Sequence, residues 1–331
     1  MDGLPSLDEL ERARELVYRA MPPTPQYAWP LLAQRLGTRV WLKHENHTPT
    51  GAFKVRGGLV YFEGLRRSGE TVRGVISATR GNHGQSVGFA ARALGMPATI
   101  VVPHGNSREK NAAMRALGVE LVEHGDDFQA AREFAERLAG ERGLHLVPSF
   151  HRDLVRGVAT YWMEFFLAVP ELDVVYVPIG LGSGACGAIA ARDALGRATR
   201  VVGVVSEGAP TYALSLAAGH VVPAPVTTVI GDGMACRVAE PAALALLQRG
   251  LDRIVAVSDD ELAEAMRALF VDTHNVAEGA GAAALAAALK ERTALAGRRV
   301  GLTLSGANVD HDVFARLLAG ESASPAVLTS P

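Results

Sequence analysis

Cysteine is scarce in this chain of 331 residues, because Cys186 and Cys236 are the only two and neither belongs to a CxxC pair. A disulfide framework or a structural zinc site needs several closely spaced ligands. The sequence therefore excludes both as the basis of the fold, and the two cysteines are expected to be buried thiols.

Long apolar runs and an excess of one charge are also missing. No segment approaches the roughly 20 apolar residues that span a bilayer, and the N-terminus lacks a signal-peptide pattern. The 33 Lys and Arg nearly balance the 35 Asp and Glu, which gives a net charge of -2 and no basic stripe for nucleic acid. These absences favour a cytoplasmic protein whose partner is a small molecule rather than a nucleic acid or a membrane.

What the sequence does have is an alternation of strand-like and helix-like segments. From about Val72 onward, short β-branched runs alternate with longer segments of helical period, which is typical of crossover units around a parallel sheet. The predicted class is α/β with two sheets. Strands are expected at residues 72–78, 98–103, 119–123, 144–148, 174–179, 200–205, 254–257 and 299–304. Helices are expected at residues 108–117, 127–142 and 185–195, around 212 and 244, and from 259 and 278.

The segment Thr50-Gly51-Ala52-Phe53-Lys54 gives Lys54 a setting in which a lysine can be reactive. A Pro and Gly turn and an aromatic side chain precede it. Removal of an amine from water lowers its pKa toward nucleophilic use. This segment alone leaves an ordinary solvated lysine as the alternative.

A second segment, Thr79-Arg80-Gly81-Asn82-His83, lies between a predicted strand and a predicted helix. The backbone N–H groups and the dipole at the start of a helix attract an anion such as a carboxylate. A plain strand-to-helix turn, with His83 as a structural histidine, is the alternative.

A third segment, residues 180–184, has the sequence Gly-Leu-Gly-Ser-Gly and again joins a strand to a helix. Its small residues let several N–H groups close on a phosphate. With Ala185 it also fits the dinucleotide pattern G-x-G-x-x-A, and Glu207 follows the next strand where a ribose-binding acid would lie. The loop alone therefore leaves a nicotinamide-dependent oxidoreductase open, although that interpretation gives Lys54 and Asn82 no role.

Taken together and in this order, four motifs resemble the fold type II pyridoxal-phosphate enzymes, specifically the threonine and serine dehydratase group that also contains serine racemases. The motifs are T-G-A-F-K ending at Lys54, G-N-H-G-Q around Asn82, the loop from Gly180, and S-G-A-N from Ser305, which by itself reads as a turn. The resemblance runs from about Thr24 to Leu318. It implies pyridoxal 5'-phosphate as the cofactor, in a cleft between two lobes.

The resemblance also implies a role for each site residue. Lys54 would hold the cofactor as a Schiff base and later move the proton at the substrate Cα. Asn82 would hydrogen-bond the cofactor's 3-hydroxyl, and Ser305 would face the pyridine nitrogen as a neutral partner that favours β-elimination. Further cofactor contacts are expected from Phe53, Gly180, Leu181, Gly182, Ser183, Gly184 and Glu278, and substrate-carboxylate contacts from Thr79, Arg80, Gly81, Asn82 and His83. For Glu278, an exposed glutamate at a helix start is the alternative.

The implied reaction is the dehydration and deamination of a small β-hydroxy amino acid, such as threonine or serine, to a 2-keto acid and ammonia. A dehydratase for 3-hydroxyaspartate or phenylserine, or an amino-acid racemase on the same fold, is the alternative. The implied architecture is a large cofactor domain of residues 1–48 and 150–320 and a small domain of residues 49–149. A disordered tail at residues 321–331 and a homodimer complete the expectation.

The sequence departs from the family pattern at several positions. Leu181 and Ser183 interrupt the glycines of the phosphate loop, and Gly157-Val158-Ala159-Thr160 replaces the common G-Q-G-T. No divalent-metal site is expected, because hard cations need oxygen ligands and Ser206, Pro210 and Tyr212 stand at the family's ligand positions. Glu207 would supply a carboxylate there only if the alignment shifts by one residue.

Arg80 is the departure with the largest consequence. It stands where dehydratases often have Ala or Ser, and where the racemases place the serine that exchanges the second proton. Arginine stays protonated in proteins and cannot act as that base, so elimination is expected to dominate over racemisation. Two interpretations of its guanidinium are open: it holds a substrate carboxylate or polar β-substituent in the cleft, or it pairs with a surface or interlobe carboxylate.

Overall fold

The computed structural model describes residues 3–322, so residues 323–331 of the predicted disordered tail lie outside the described residues. Within that range the chain forms ten strands and thirteen α-helices. The strands are β1 Gln26–Tyr27, β2 Arg39–His44, β3 Val75–Ala78, β4 Ala98–Val102, β5 Glu120–Glu123, β6 His145–Leu146, β7 Val174–Pro178, β8 Arg200–Ser206, β9 Arg253–Val257 and β10 Arg299–Leu304. The helices are α1 Leu7–Tyr18, α2 Pro30–Leu36, α3 Lys54–Ser68, α4 Asn82–Ala93, α5 Arg108–Ala116, α6 Phe128–Arg142, α7 Arg152–Ala168, α8 Ser183–Ala194, α9 Thr211–Ala218, α10 Pro241–Gly250, α11 Asp259–Thr273, α12 Gly279–Lys290 and α13 His311–Leu318.

The strands form two separate sheets. The six-stranded sheet has the order β1-β2-β10-β7-β8-β9, and the four-stranded sheet has the order β5-β4-β3-β6. The pair β1–β2 is antiparallel, whereas the other pairs in both sheets are parallel. Every residue of β3, β4 and β7 is buried, as expected for central strands with helices on both faces. The predicted α/β class with two open parallel sheets is confirmed.

Helix boundaries follow capping signals in the sequence. Ser6 and Ser258 begin α1 and α11 with complete capping boxes, in which the serine hydroxyl accepts from the backbone of a glutamate three residues later. Asp127 caps the start of α6, and Gly143 ends it in the left-handed conformation. These local signals place α6 at the range that the sequence predicts, one residue later at its start.

Helix α7 connects the region of the four-stranded sheet to that of the six-stranded sheet, and it packs against α1, α3 and α8. Tyr161 and Trp162 lie fully buried in this packing. The indole N–H of Trp162 donates to the carbonyl of Gly184 at 3.0 Å. Because buried indole groups need a partner, this bond fixes the start of α8, where the predicted phosphate loop ends.

The predicted strands all occur, although several are shorter than expected. Strand β10 has the predicted bounds, whereas β6 keeps only His145–Leu146 of the range 144–148. The elements before Val72 were not predicted, and they include β2, which pairs with β10 from the far end of the chain. Within residues 3–322, each helix falls short of the length or apolarity that a membrane span requires. The domain division at residues 49 and 149 stays a prediction.

Candidate active site

Lys54 opens α3 and faces a cavity between the two sheets. Its ammonium nitrogen lies 4.9 Å from the centre of the Phe53 ring, and no residue in the range 3–322 accepts a hydrogen bond from it. Burial lowers the pKa of Lys54 to about 8, although the nearby carboxylate of Glu278 opposes the shift. The amine therefore has a larger unprotonated, nucleophilic fraction at neutral pH than a solvated lysine has.

The loop that carries Lys54 is fastened to the S-G-A-N motif. The backbone N–H of Phe53 donates to the carbonyl of Ser305 at 3.1 Å, and Ala307 N–H donates to the carbonyl of Gly51 at 2.9 Å. Gly51 has a φ of 67°, and a Cβ there would lie 2.8 Å from Oδ1 of Asn308. Only glycine fits both the conformation and the space, so the turn before Lys54 depends on it.

The start of α4 forms a second feature of the cavity. Thr79 Oγ1 accepts from the backbone N–H groups of Gly81 at 2.9 Å and Gly84 at 3.3 Å. In the described part of the chain, the N–H groups of Asn82 and His83 are left without partners. The helix therefore offers two donors and the positive end of its dipole to an anion in the cavity.

His83 is buried beside this helix start. Burial and the charge of Lys54 lower the pKa of His83 to about 3. The imidazole is thus neutral at physiological pH and too weakly basic to remove a proton efficiently there. This agrees with a structural or hydrogen-bonding histidine rather than a general base.

The loop of residues 180–184 joins β7 to α8, and Gly182 takes the N-cap position with a φ of 98°. No side chain caps the helix, so the first N–H groups of α8 have no capping side chain as a partner. Tyr212 donates its hydroxyl to the carbonyl of Leu181 at 3.0 Å. A Cβ on Gly180 would lie 2.4 Å from the carbonyl oxygen of Gly233, so the loop requires glycine there.

A cluster of charged groups lies beside these features and joins the two sheet regions. Glu278 is 2% exposed, so the expected alternative of an exposed helix-start glutamate is wrong. Its carboxylate accepts from Asn82 Nδ2 at 2.5 Å and pairs with Lys110 Nζ at 2.9 Å. Lys110 also binds Asp232 at 2.6 Å, and Asn82 Oδ1 accepts from Asn308 Nδ2 at 2.9 Å.

The cluster raises the pKa of both Glu278 and Lys110, for different physical reasons. Burial raises the pKa of Glu278, and the positive charge of Lys110 opposes that rise. Burial alone would lower the pKa of Lys110, but the carboxylates of Asp232 and Glu278 outweigh it and raise the pKa. Lys110 therefore stays charged, and two buried carboxylates balance its charge.

Most of the predicted site residues meet at one cavity. Its lining includes Lys54, Thr79, Arg80, Gly81, Asn82, His83, Gly180 and Leu181. Phe53 contacts Lys54, while Glu278 and Ser305 adjoin the lining through Asn82 and Phe53. The predicted residues Gly182, Ser183 and Gly184 do not line the cavity itself and lie at the start of α8.

Several lining residues were not predicted from the sequence, namely Lys110, Phe128, Ser149, Asp232 and Cys236. The sequence gives only a partial signal for Lys110: it is a charged residue on the face of α5 that is buried. Cys236 is buried as expected, and so is Cys186. Neither the sequence position nor the chemistry of Cys236 indicates that it borders the cavity.

The sequence matches the family model described as pyridoxal-phosphate dependent enzyme over residues 17–306. A putative threonine dehydratase of Sinorhizobium fredii is 33% identical over 318 residues, which cover 95% of this chain and 96% of the relative. The L-threo-3-hydroxyaspartate ammonia-lyase of Saccharomyces cerevisiae is 31% identical over 322 residues, and the match covers 97% of both chains. The processed form of threonine deaminase isoform 2 from Solanum lycopersicum has a similar structure, with a TM-score of 0.86, 29% identity, and coverage of 96% of this chain and 95% of that chain.

The matched range contains Lys54, Asn82, Gly180 and Ser305, which are the positions that carry the four motifs. This match to a pyridoxal-phosphate family includes the glycine loop and replaces its interpretation as a nicotinamide site. In the structure the carboxylate of Glu207 binds Lys290 Nζ at 3.1 Å. The chain belongs to the family of pyridoxal-phosphate dependent enzymes, with the fold type II architecture.

Proposed function

We propose that this protein removes water and then ammonia from a small β-hydroxy amino acid, such as threonine or serine, and releases a 2-keto acid. The observation that carries the proposal is one cavity that holds both the low-pKa amine of Lys54 and the two free N–H groups at the start of α4. An amino-acid substrate needs both an amine that can move its Cα proton and a receptor for its carboxylate.

The residues around the cavity fit pyridoxal phosphate. Lys54 supplies an unpartnered amine for the cofactor's aldehyde, and the uncapped start of α8 supplies N–H donors for a phosphate. Asn82 supplies an amide for the ring hydroxyl, and Ser305 supplies a neutral hydroxyl for the ring nitrogen. Phe53 supplies an aromatic face beside the lysine. We propose these contacts for the residues predicted from the sequence.

Bound at this site, the cofactor supplies an electron sink for the electrons of the substrate's Cα–H bond. With the cofactor bound there, Lys54 would take the Cα proton of the substrate. The N–H groups of Asn82 and His83 hold the substrate carboxylate, which fixes the Cα next to Lys54. The β-hydroxyl leaves as water, and hydrolysis of the resulting unsaturated amine gives the keto acid and ammonia.

The relatives support the dehydratase assignment over a racemase. Relatives at 31–36% identity are named threonine ammonia-lyases or threonine dehydratases. A two-base racemase needs a second group that can give and take a proton, and Arg80 lacks that capacity. We also propose a cytoplasmic homodimer with a large domain of residues 1–48 and 150–320 and a small domain of residues 49–149, on the strength of the family resemblance.

A substrate panel tests this proposal. The purified holoenzyme is incubated with threonine, serine, 3-hydroxyaspartate and phenylserine, and keto acid and ammonia are measured together. We expect equal amounts of the two products from at least one of these substrates and none from alanine, which has no β-hydroxyl. Failure of every β-hydroxy amino acid to release both products contradicts the proposed function.

A further inference from the structure

Arg80 presents a positive charge to the cavity that no protein group neutralises at close range. Arg80 lines this cavity together with Lys54 and also lines a neighbouring cavity beside Lys110, and its Nε is enclosed without a hydrogen-bond partner in residues 3–322. None of the ion pairs in that range includes Arg80. The expected alternative, in which Arg80 pairs with a surface or interlobe carboxylate, therefore does not describe this structure.

The neighbouring cation, Lys110, differs from Arg80 because carboxylates of the protein pair with it. Lys110 lies beside Gly81 and binds both Asp232 at 2.6 Å and Glu278 at 2.9 Å. Its charge is balanced within the protein, so it cannot serve as the receptor of a further anion at little cost. Apart from Lys54, to which the cofactor is assigned, Arg80 is thus the cation among the described lining residues that is available to a ligand.

The substrate's α-carboxylate already has a receptor without Arg80. The start of α4 offers the free N–H groups of Asn82 and His83, because Thr79 Oγ1 occupies those of Gly81 and Gly84. Two N–H donors at a helix start satisfy one carboxylate. The guanidinium of Arg80 is therefore surplus to the recognition of an ordinary α-amino acid.

A partly buried, unpaired guanidinium is costly unless a ligand compensates it. Its planar fork matches a carboxylate with two parallel hydrogen bonds. We infer that Arg80 selects β-hydroxy amino acids that carry a second carboxylate on Cβ, of which 3-hydroxyaspartate is the simplest. This inference rests on the proposed β-elimination and specifies its substrate class.

The apolar residues that line the cavity lead to a different expectation for the substrate. Phe128, Leu181 and Cys236 present apolar surface to the same cavity. If they dominate recognition, they favour the methyl group of threonine or the ring of phenylserine. Comparison of acidic and apolar β-substituents therefore decides between Arg80 and this apolar surface.

The kinetic experiment compares the parent with Arg80→Ala and Arg80→Lys. The parent is expected to use 3-hydroxyaspartate with a kcat/KM at least about 10-fold above that for threonine or phenylserine. Arg80→Ala should lower kcat/KM for 3-hydroxyaspartate about 10- to 100-fold while changing that for threonine less than about 3-fold. Arg80→Lys keeps the positive charge but lacks the planar guanidinium, so its kcat/KM for 3-hydroxyaspartate should lie between those of the parent and Arg80→Ala. Arg67→Ala, which removes an exposed arginine on α3, is the control.

A binding experiment gives a readout that does not depend on turnover. Succinate and butyrate have the same carbon number but two carboxylates and one, respectively. Succinate should raise the Tm of the parent holoenzyme more than butyrate does, and Arg80→Ala should remove this difference.

Three results overturn the inference: a parent preference for threonine or phenylserine, an equal loss for all substrates in Arg80→Ala, or an equal Tm shift with succinate and butyrate. An equal loss for all substrates assigns Arg80 to the α-carboxylate. If no β-hydroxy amino acid is turned over, the proposed function itself fails, and the comparison of succinate with butyrate still decides the role of Arg80.

Discussion

At the scale of single residues, the reactivity of Lys54 comes from its surroundings. Burial beside Phe53 lowers the pKa of its amine to about 8, and the carboxylate of Glu278 limits that shift. Asn82 holds Glu278 in place through a 2.5 Å hydrogen bond and also accepts from Asn308. The residue proposed to contact the cofactor ring thus also links segments from both sheet regions.

Replacement of Asn82 by alanine should impair the enzyme without unfolding it. The change removes one hydrogen-bond partner from the buried carboxylate of Glu278 and one from Asn308, and it removes the proposed contact with the cofactor. We expect kcat/KM to fall about 10-fold or more and pyridoxal phosphate to dissociate more readily. Steady-state kinetics and cofactor retention after dialysis measure the two effects. Parent-like values for both would show that the assigned contact is wrong.

The chemistry of Arg80 also leads us to expect that elimination dominates over racemisation. Because a guanidinium stays protonated at neutral pH and cannot accept a further proton, the face opposite Lys54 lacks a base at this position. Reactions with L-serine should give keto acid and ammonia as the main products. Chiral chromatography of the same reactions should find D-serine at less than about 1% of the total product. Appreciable D-serine from the parent would refute the argument.

At the scale of elements, α5 and α13 meet across the cleft in a mutual cap. The carboxylate of Asp310 accepts from the hydroxyl of Ser107 at 2.6 Å and from the backbone N–H groups of Arg108 at 3.2 Å and Glu109 at 3.1 Å. A carboxylate from one sheet region thus caps a helix from the other. This contact joins the two regions beside the cavity.

Asp310→Ala should therefore weaken substrate binding more than chemistry. A lost cap costs about 1 kcal/mol, so KM is expected to rise about 5-fold while kcat changes little. Ser258→Ala is the matched control, because Ser258 caps α11 within a single region. The control should lose similar stability in denaturant unfolding with an unchanged KM. A parallel rise of KM in both variants would contradict a role in closure.

The sequence predicts elements best where local patterns and caps agree. Helix α6 and strand β10 follow the expected ranges because apolar periodicity and flanking caps or turns mark them. Strand β2 lacks such local signals. It pairs with the two-residue strand β1 and along its whole length with β10, whose partner residues are about 260 positions later in the chain, and only the tertiary fold brings β2 and β10 together.

The same limit separates the predicted from the unpredicted site residues. Lys54, Asn82, Gly180 and Ser305 lie in local motifs whose order along the chain can be read directly. Lys110 and Asp232 lie 122 positions apart and acquire their roles through one ion pair across the cleft. No local spacing encodes such a pair, so it was found only in the folded chain.

At the scale of the whole molecule, a buried charge network lies behind the site and joins four separate parts of the chain. Arg56 binds Glu45 at 2.7 Å and Glu164 at 2.6 Å, and Lys43 binds Glu164 at 2.6 Å. Thr24 donates its hydroxyl to Glu45 at 2.5 Å. Because Arg56 is on α3, two residues after Lys54, the network fixes the helix that carries the reactive amine.

Arg56→Met should be strongly destabilising because it leaves the carboxylates of Glu45 and Glu164 buried without their main cation. Removal of one partner from a buried pair costs about 3 to 5 kcal/mol in the free energy of unfolding. Arg67→Ala, which breaks an exposed pair with Glu63 on the same helix, should cost less than about 1 kcal/mol. Urea unfolding of both variants makes the comparison. Similar losses would show that the network does not hold the fold together.

Reductive trapping tests whether Lys54 carries the cofactor of a pyridoxal-phosphate dependent lyase. Borohydride fixes the cofactor to the amine that holds it, and mass spectrometry of the digested protein identifies the modified residue. We expect one phosphopyridoxyl group per chain on Lys54, with loss of keto-acid production after reduction. Lys54→Ala should stay folded, take up no such group and show no turnover. A group on another lysine, or near-parental turnover by Lys54→Ala, would contradict the account.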